Sequence, residues 1–269
     1  MVKPAKEFYS KAFKGERIRL VKDAYHNLEF TTTMHFLKKH LPRGGHILDA
    51  GGGPGRYTIA LAKMGYKVTL LDITPENLEY AKKQIKRAKV GNKVDAIVEG
   101  SITDLSVFEN NTFDAVICLG GPLSHVQGES NRKKAISELT RVAKKKAPVF
   151  VSIMSKYGTY LSWPLWSSEM LLPNFNSFIE HGDDYRWIGK YYCHFYTREQ
   201  LKQAFAIPSL KFIDIIGLEG NVYIAKDLVS KEFKKPKIAR KAFETHLKLC
   251  NDQFIADASA HMMIICKKI

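Results

Sequence analysis

Short apolar runs and apolar residues at helical spacing alternate along most of this chain. Val21, Tyr25, Leu28, Thr32, Phe36 and Leu37 recur near helical spacing up to His40, and Leu41-Pro42-Arg43-Gly44-Gly45 ends that helix. The run His46-Ile47-Leu48-Asp49 reads as a strand. Tyr57, Ile59, Ala60, Leu61 and Met64 follow at helical spacing, and Tyr66 to Asp72 is a second strand. Thr74-Pro75-Glu76 then supplies an N-cap, a proline at the first helical position and an acid in the first turn, predicting a helix to about Ala88. Strands over Lys93 to Val98 and Phe113 to Leu119, a helix from Ser130 to Lys144 and a strand from Ala147 to Met154 complete the series. Strands alternating with helices predict an α/β fold, a parallel sheet covered on both faces and wound with right-handed crossovers.

The alternation breaks after Met154. Residues 157–196 hold twelve aromatics, among them Trp163, Trp166 and Trp187, with Pro164 and Pro173 and several acids. A long irregular insertion of this kind predicts a lid or binding element. The pattern resumes with a helix from Thr197 to Phe205 and a strand from Leu210 to Leu218. After a second insertion, residues 219–236, come a helix from Lys237 to Cys250 and a strand from Ala260 to Cys266. The expected organisation is therefore an N-terminal helical segment (1–41), a ligand-binding core (42–154), an aromatic-rich insertion (155–196) and the rest of the sheet (197–269).

Composition narrows the function classes. With 45% hydrophobic residues the chain can bury a full core. It has no apolar run long enough to span a membrane and no signal-peptide pattern at Met1-Val2-Lys3-Pro4, so an intracellular, cytoplasmic protein is expected. Cys118, Cys193, Cys250 and Cys266 are far apart, without a CxxC pair or a histidine at ligand spacing, and no metal site is expected. The net charge of +15 suggests an anionic partner. Its carriers, however, are spread over helices such as Lys82 to Lys89 and Arg132 to Lys146, and solvated basic faces are favoured over a nucleic-acid patch. Phe8, Tyr9 and Phe13 are possible docking points in the basic first segment.

The candidate chemistry centres on Asp49-Ala50-Gly51-Gly52-Gly53-Pro54-Gly55-Arg56-Tyr57. Glycines between a strand and a helix permit positive φ and let a ligand lie against the backbone, with free N–H groups of the helix start facing it. Asp72, closing the second strand, stands where an acid accepts hydrogen bonds from ribose hydroxyls. The G-x-G-x-x-G spacing of dinucleotide folds fails, because the last position from Gly51 is Arg56.

The spacing Asp49-x-Gly51-x-Gly53-x-Gly55 resembles motif I of class I S-adenosylmethionine-dependent methyltransferases, of the small-molecule, biosynthetic type. Leu71-Asp72 is similar to the family's second-strand acid, and Phe113 to Leu119 looks like its fourth strand. The resemblance implies a Rossmann-like seven-stranded sheet of order 3-2-1-4-5-7-6 with its last strand antiparallel. It implies S-adenosylmethionine as cofactor, held by Asp49, Gly51, Gly52, Gly53, Gly55, Arg56, Tyr57, Asp72, Ile73, Ser101, Ile102, Leu119 and Gly120. Many members carry an acid at the position of Ser101; here a hydroxyl or a backbone carbonyl must serve the adenine amino group, with Ile102 against the ring.

Gly120-Gly121-Pro122-Leu123-Ser124-His125 follows the fourth strand, where ligands of open α/β sheets bind. His125 is the candidate general base, and the alternative is a capping or packing histidine. Tyr157, directly after the fifth strand, is the insertion residue expected to face the site. His181, His194 and His261 rank below His125. Glu169, Glu180, Asp183 and Asp184 either hold an amine substrate or are solvated acids, the second being favoured. The expected reaction is direct methyl transfer to an oxygen, nitrogen or carbon of a small molecule. The alternatives are an RNA or protein methyltransferase, a non-catalytic cofactor-binding protein and a dinucleotide-dependent oxidoreductase. No Asn-Pro-Pro-Tyr or Asp-Pro-Pro-Tyr run follows the fourth strand.

Overall fold

Local signals place the first elements close to where the sequence predicts them. Helix α1 (Ala24–His40) starts at Asp23, whose carboxylate accepts the His26 N–H at 2.9 Å, and ends on Lys38, Lys39 and His40, charges that suit a helix C-terminus. Strand β1 (His46–Ala50) leads through the glycine turn into α2 (Arg56–Lys63), and β2 (Lys67–Asp72) into α3 (Pro75–Arg87). Then come β3 (Val94–Glu99), β4 (Ala115–Cys118), α4 (Glu129–Val142) and β5 (Pro148–Met154). Phe113, expected to open the fourth strand, instead forms a lone bridge to Ala143. The computed structural model describes residues 23–165, 167–172, 175–184, 192–220, 222 and 225–269. Val21, the docking candidates Phe8, Tyr9 and Phe13, Trp166, Pro173, Trp187 and the side chain of Glu169 lie outside the described residues.

Residues 155–196 are more regular than their composition suggests. They contain α5 (Lys156–Leu161), α6 (Phe175–His181) and a hairpin of β6 (Asp183–Asp184) with β7 (Cys193–His194). Phe178, Cys193 and Phe195 form a small core of their own, against which Met154 and Phe175 pack. Several aromatics that the sequence assigns to a substrate enclosure are therefore spent on holding the insertion together. The chain continues through α7 (Arg198–Ala204), opened by a reciprocal Thr197–Gln200 capping box, and β8 (Leu210–Gly217). The second insertion contains α8 (Lys226–Glu232), followed by α9 (Pro236–Leu249), α10 (Gln253–Ala258) and β9 (His261–Lys268). Helix α10 escapes the sequence reading because its 6 residues are too few to show a period. Its start is fixed by Asp252, whose carboxylate accepts from the Phe254 and Ile255 N–H groups.

The main sheet has the order β3-β2-β1-β4-β5-β9-β8. Leaving out the hairpin strands, this is the expected 3-2-1-4-5-7-6. Strands β1 to β5 pair in parallel, and β9 runs antiparallel to both β5 and β8. Successive side chains alternate between two cores. Leu48, Val116, Val151 and Ile264 join the helix α4 residues Ile136 and Leu139 on one face. Ile47, Ile117, Phe150 and Met263 join Leu37 of α1, Leu61 of α2 and Leu78 of α3 on the other. The order reverses between β1 and β4, so their C-terminal ends open a crevice outside the sheet. No described helix is long and apolar enough to cross a membrane.

Candidate cofactor and acceptor site

The glycine turn needs its glycines. Gly51, Gly53 and Gly55 have φ of +77°, +52° and +80°, where side chains are strained. A Cβ on Gly52 would lie 2.5 Å from both the Asp49 carboxyl carbon and Leu70 Cδ1, and one on Gly51 would lie 2.5 Å from the Pro122 ring. The Gly51 and Gly52 N–H groups donate to the Leu71 carbonyl at 2.6 and 3.1 Å, so the turn stays tied to the end of β2. The result is a bare backbone shelf between two acids.

Asp49 is fully buried, and its Oδ2 accepts the Thr58 hydroxyl at 2.6 Å. Burial pushes its carboxyl up to about 6, against the Thr58 hydrogen bond. Its Oδ1 has no hydrogen-bond partner among the described residues. Asp72, also buried, accepts the Gly53 N–H on Oδ2 at 2.8 Å and the Thr74 N–H on Oδ1 at 2.9 Å. Burial raises its carboxyl above the ordinary range, while these N–H groups pull the other way. Asp72 thus steadies the chain ahead of α3, with the Thr74 and Asn77 side chains as further donors to its carboxylate. Beside it, Asn77 is buried with Oδ1 unpartnered among the described residues, a residue that no motif singles out. Thr58 was likewise missed; its signal is its place two residues into α2, facing back to the strand-end acid.

The other expected cofactor residues divide. Ile102 is buried and Ile73 is exposed, and they stand near the ends of β3 and β2. The Ser101 hydroxyl is engaged with Thr103, 2.8 Å to its Oγ1 and 3.2 Å from its N–H. Arg56 places its guanidinium over the Phe30 ring, 5.6 Å from the centroid, and the buried Tyr57 ring lies 5.3 Å from the same phenyl. These two side chains join the start of α2 to α1.

Leu119 is buried, and the Gly120 N–H donates to the Ser152 hydroxyl at 2.7 Å. Gly120 and Gly121 turn the chain with φ of +83° and +90° into a short 3-10 helix, Pro122–His125. His125 Nδ1 lies 3.3 Å from the Tyr192 carbonyl. A carbonyl only accepts, so Nδ1 carries the proton in this contact. Tyr157 stands in the first turn of α5 and is 48% exposed, which puts its ring at the surface of the insertion.

The hairpin carries a polar network that the sequence left unresolved. The Asp183 carboxylate accepts from the Tyr192 hydroxyl at 2.6 Å and from His194 Nδ1 at 2.7 Å, while Arg132 of α4 donates to the Tyr192 oxygen. Burial alone would raise Asp183, but these donors hold it below the usual carboxylate range; burial lowers His194. Asp184 is buried, His181 and Glu180 are exposed, and His261 lies away from this network beside Glu219. Asp183 and Asp184 are therefore structural members of the hairpin rather than solvated loop acids.

Among the described residues, the unpartnered buried polar atoms around the glycine turn are acceptors, namely Asp49 Oδ1 and Asn77 Oδ1. A ligand bringing an ammonium group and ribose hydroxyls supplies matching donors, and S-adenosylmethionine has both. The methyltransferase-domain family matches residues 47–146. The chain is 30% identical over 183 residues to a ubiquinone/menaquinone biosynthesis C-methyltransferase of Zymomonas mobilis, covering 66% of this chain and 68% of that protein. The chain belongs to the class I S-adenosylmethionine-dependent methyltransferases. A ubiquinone biosynthesis O-methyltransferase of Xanthomonas axonopodis is 27% identical over 55% of this chain, which spans 62% of that relative's length. A methyltransferase structure from Methanosarcina mazei shares the fold with a TM-score of 0.61 at 19% identity, covering 87% of this chain and 97% of that one. In this methyltransferase fold the basic residues Lys144, Lys145, Lys146 and Lys267 line a cleft with His40 and Pro42, at the opposite end of the strands from the glycine turn.

Proposed function

We propose that the chain transfers the methyl group of S-adenosylmethionine to an oxygen, nitrogen or carbon nucleophile of a small molecule by direct displacement. The observation that carries this reading is Asp72, a buried carboxylate pinned by Gly53 and Thr74 so that it faces the glycine shelf. When bound, the cofactor supplies an activated methyl group. Asp49 and Asp72 hold the donor groups of the ligand, and the Gly120–Gly121 turn flanks the acceptor side. Catalysis then rests mainly on alignment in a water-poor pocket. His125, at the end of the turn that follows β4, takes the nucleophile's proton where the acceptor has one to lose. Tyr157 reaches the acceptor only from the rim. The comparisons favour a small-molecule acceptor: the relatives named above methylate oxygen and carbon in quinone biosynthesis. They offer nothing for an RNA or protein acceptor.

Calorimetry with S-adenosylhomocysteine tests the cofactor half. One site per chain is expected, and Asp72→Ala should weaken it by about 2 kcal/mol, the value of a hydrogen bond to a charged group. Absence of binding at about 1 mM ligand would overturn the reading. Incubating the protein and cofactor with a metabolite extract, and looking for a mass gain of one methyl group, tests the acceptor half.

A further inference from the structure

At the C-terminal end of the parallel strands, on the α1 side, three ionisable side chains from distant parts of the chain converge. Glu29 belongs to α1, Glu219 follows β8, and His261 opens β9 opposite Met154. Both glutamates are 1% exposed. His261 Nδ1 is 2.5 Å from Glu219 Oε1 and 4.0 Å from Glu29 Oε2. One ligand atom from each of the three lies within 4.8 Å of the others. The spacing 29, 219, 261 leaves no trace in the sequence, which is why no metal site is expected there.

A second observation lies about one turn along the same helix from Glu29. Thr32 and Thr33, three and four residues along α1 from Glu29 and so on its face of the helix, are fully buried, and their hydroxyls have no hydrogen-bond partner among the described residues. Helical threonines ordinarily donate back to the preceding turn, as Thr31 does to the Asn27 carbonyl at 2.9 Å. The buried layer between α1 and the sheet thus holds two carboxylates, an imidazole and two unused hydroxyls. Buried hydroxyls in that condition cost free energy unless something polar completes them.

We propose that Glu29, Glu219 and His261 bind one divalent transition-metal ion that fastens α1 to the ends of β8 and β9. Two carboxylates with one imidazole suit ions of the Mn2+ to Zn2+ series, and the imidazole argues against Mg2+ or Ca2+. On binding, the ion replaces the proton now shared by His261 Nδ1 and Glu219, and that proton leaves to solvent. Three protein ligands leave coordination positions for water, which the Thr32 and Thr33 hydroxyls can hold. This cluster shares no residue with the glycine shelf, and the proposal does not depend on the methyltransferase reading.

The test uses the full chain stripped with EDTA and titrated with Mn2+, following the electron paramagnetic resonance signal of the free ion. One ion per chain is expected, with a rise in melting temperature on saturation. Glu29→Gln and Glu219→Gln should each raise the dissociation constant at least about tenfold. Glu29→Gln is the deciding variant if Glu219→Gln does not fold, because it leaves the Glu219–His261 hydrogen bond in place. The proposal is overturned if neither Mn2+ nor Zn2+ binds at about 1 mM, or if Glu29→Gln binds Mn2+ like the wild type. Calorimetry with S-adenosylhomocysteine on the stripped protein, run in parallel, separates failure of the metal site from failure of the cofactor reading.

Discussion

Thr58 donates its hydroxyl to Asp49 Oδ2 at 2.6 Å, leaving Oδ1 of a fully buried carboxylate without a partner among the described residues. The carboxyl is pushed up to about 6 by burial. A raised acid favours the protonated folded state, so its stabilising contribution is complete below its ordinary value of 3.8 and is lost as pH rises through about 6. A cationic cofactor group at Oδ1 favours the ionised form instead. Cofactor affinity should therefore fall as pH drops below about 6, and binding near that pH should release a proton. Calorimetry in two buffers of different ionisation enthalpy reads the proton directly. Asp49→Asn should raise the melting temperature of the cofactor-free protein at pH 7.5 while weakening binding; a variant that binds as well as the wild type would refute the contact.

Gly52→Ala brings a methyl carbon to 2.5 Å from Asp49 and Leu70, both held in the core. Relieving that overlap should cost about 2 kcal/mol of stability and displace the shelf. Cofactor binding is expected to be lost. Gly44→Ala, with nothing within 4 Å of its Cβ, serves as the matched control and should leave both melting temperature and binding unchanged.

In the β6–β7 hairpin, acid acts twice in the same direction. His194 is lowered by burial, so its contribution is present above its ordinary 6.5 and is lost as pH falls below it toward the lowered value. Asp183, kept low despite burial by the Tyr192 and His194 donors, loses its contribution only as pH falls below its own ordinary 3.8. Hydrogen exchange corrected for intrinsic rates should show residues 193–195 opening more readily at pH 5 than at pH 7. Tyr192→Phe, which deletes the hydroxyl between Arg132 and Asp183, should speed exchange about fivefold at pH 7, from about 1 kcal/mol of lost hydrogen bonding. Unchanged protection in both experiments would mean that the network does not hold the hairpin.

Cys118, Cys193, Cys250 and Cys266 are all buried free thiols. Burial pushes Cys250 up to about 11 and Cys266 up to about 12. The thiolate is the reactive form. A thiol-specific chromogenic reagent should find no fast-reacting cysteine in the native protein at pH 8 and four after denaturation. A single fast thiol in the native state would mean that the strand or helix carrying it opens readily to solvent.

Much of the sheet was readable because β1, β2, β4 and β5 are short, largely buried apolar runs bounded by turn residues, and Pro75 marks the start of α3 to the residue. The glycine turn was readable for a related reason: positive φ at Gly51, Gly53 and Gly55 restricts those positions to few residue types. Residues 155–196 were not, since aromatics that pack on one another, such as Phe178 against Phe195, look the same in sequence as aromatics lining a pocket. Asn77 and Thr58 went unnoticed because a buried polar residue on a helix becomes informative only once the strand end facing it is known. His261 ranked low for the same reason, its neighbours Glu29 and Glu219 being remote in the chain.

The position of β9 between β5 and β8 has a bearing on how the protein is made. During synthesis β5 is complete at Met154, yet the strand that pairs with it along its whole length, His261 to Lys268, emerges only after both insertions and β8. Until then the nascent chain carries a bare, strongly apolar sheet edge, Val149-Phe150-Val151-Ser152-Ile153, of the kind that recruits neighbouring chains. The ribosome-bound intermediate is thus more aggregation-prone than the folded chain, in which β9 covers this edge, and slow translation between residues 154 and 261 would prolong its life.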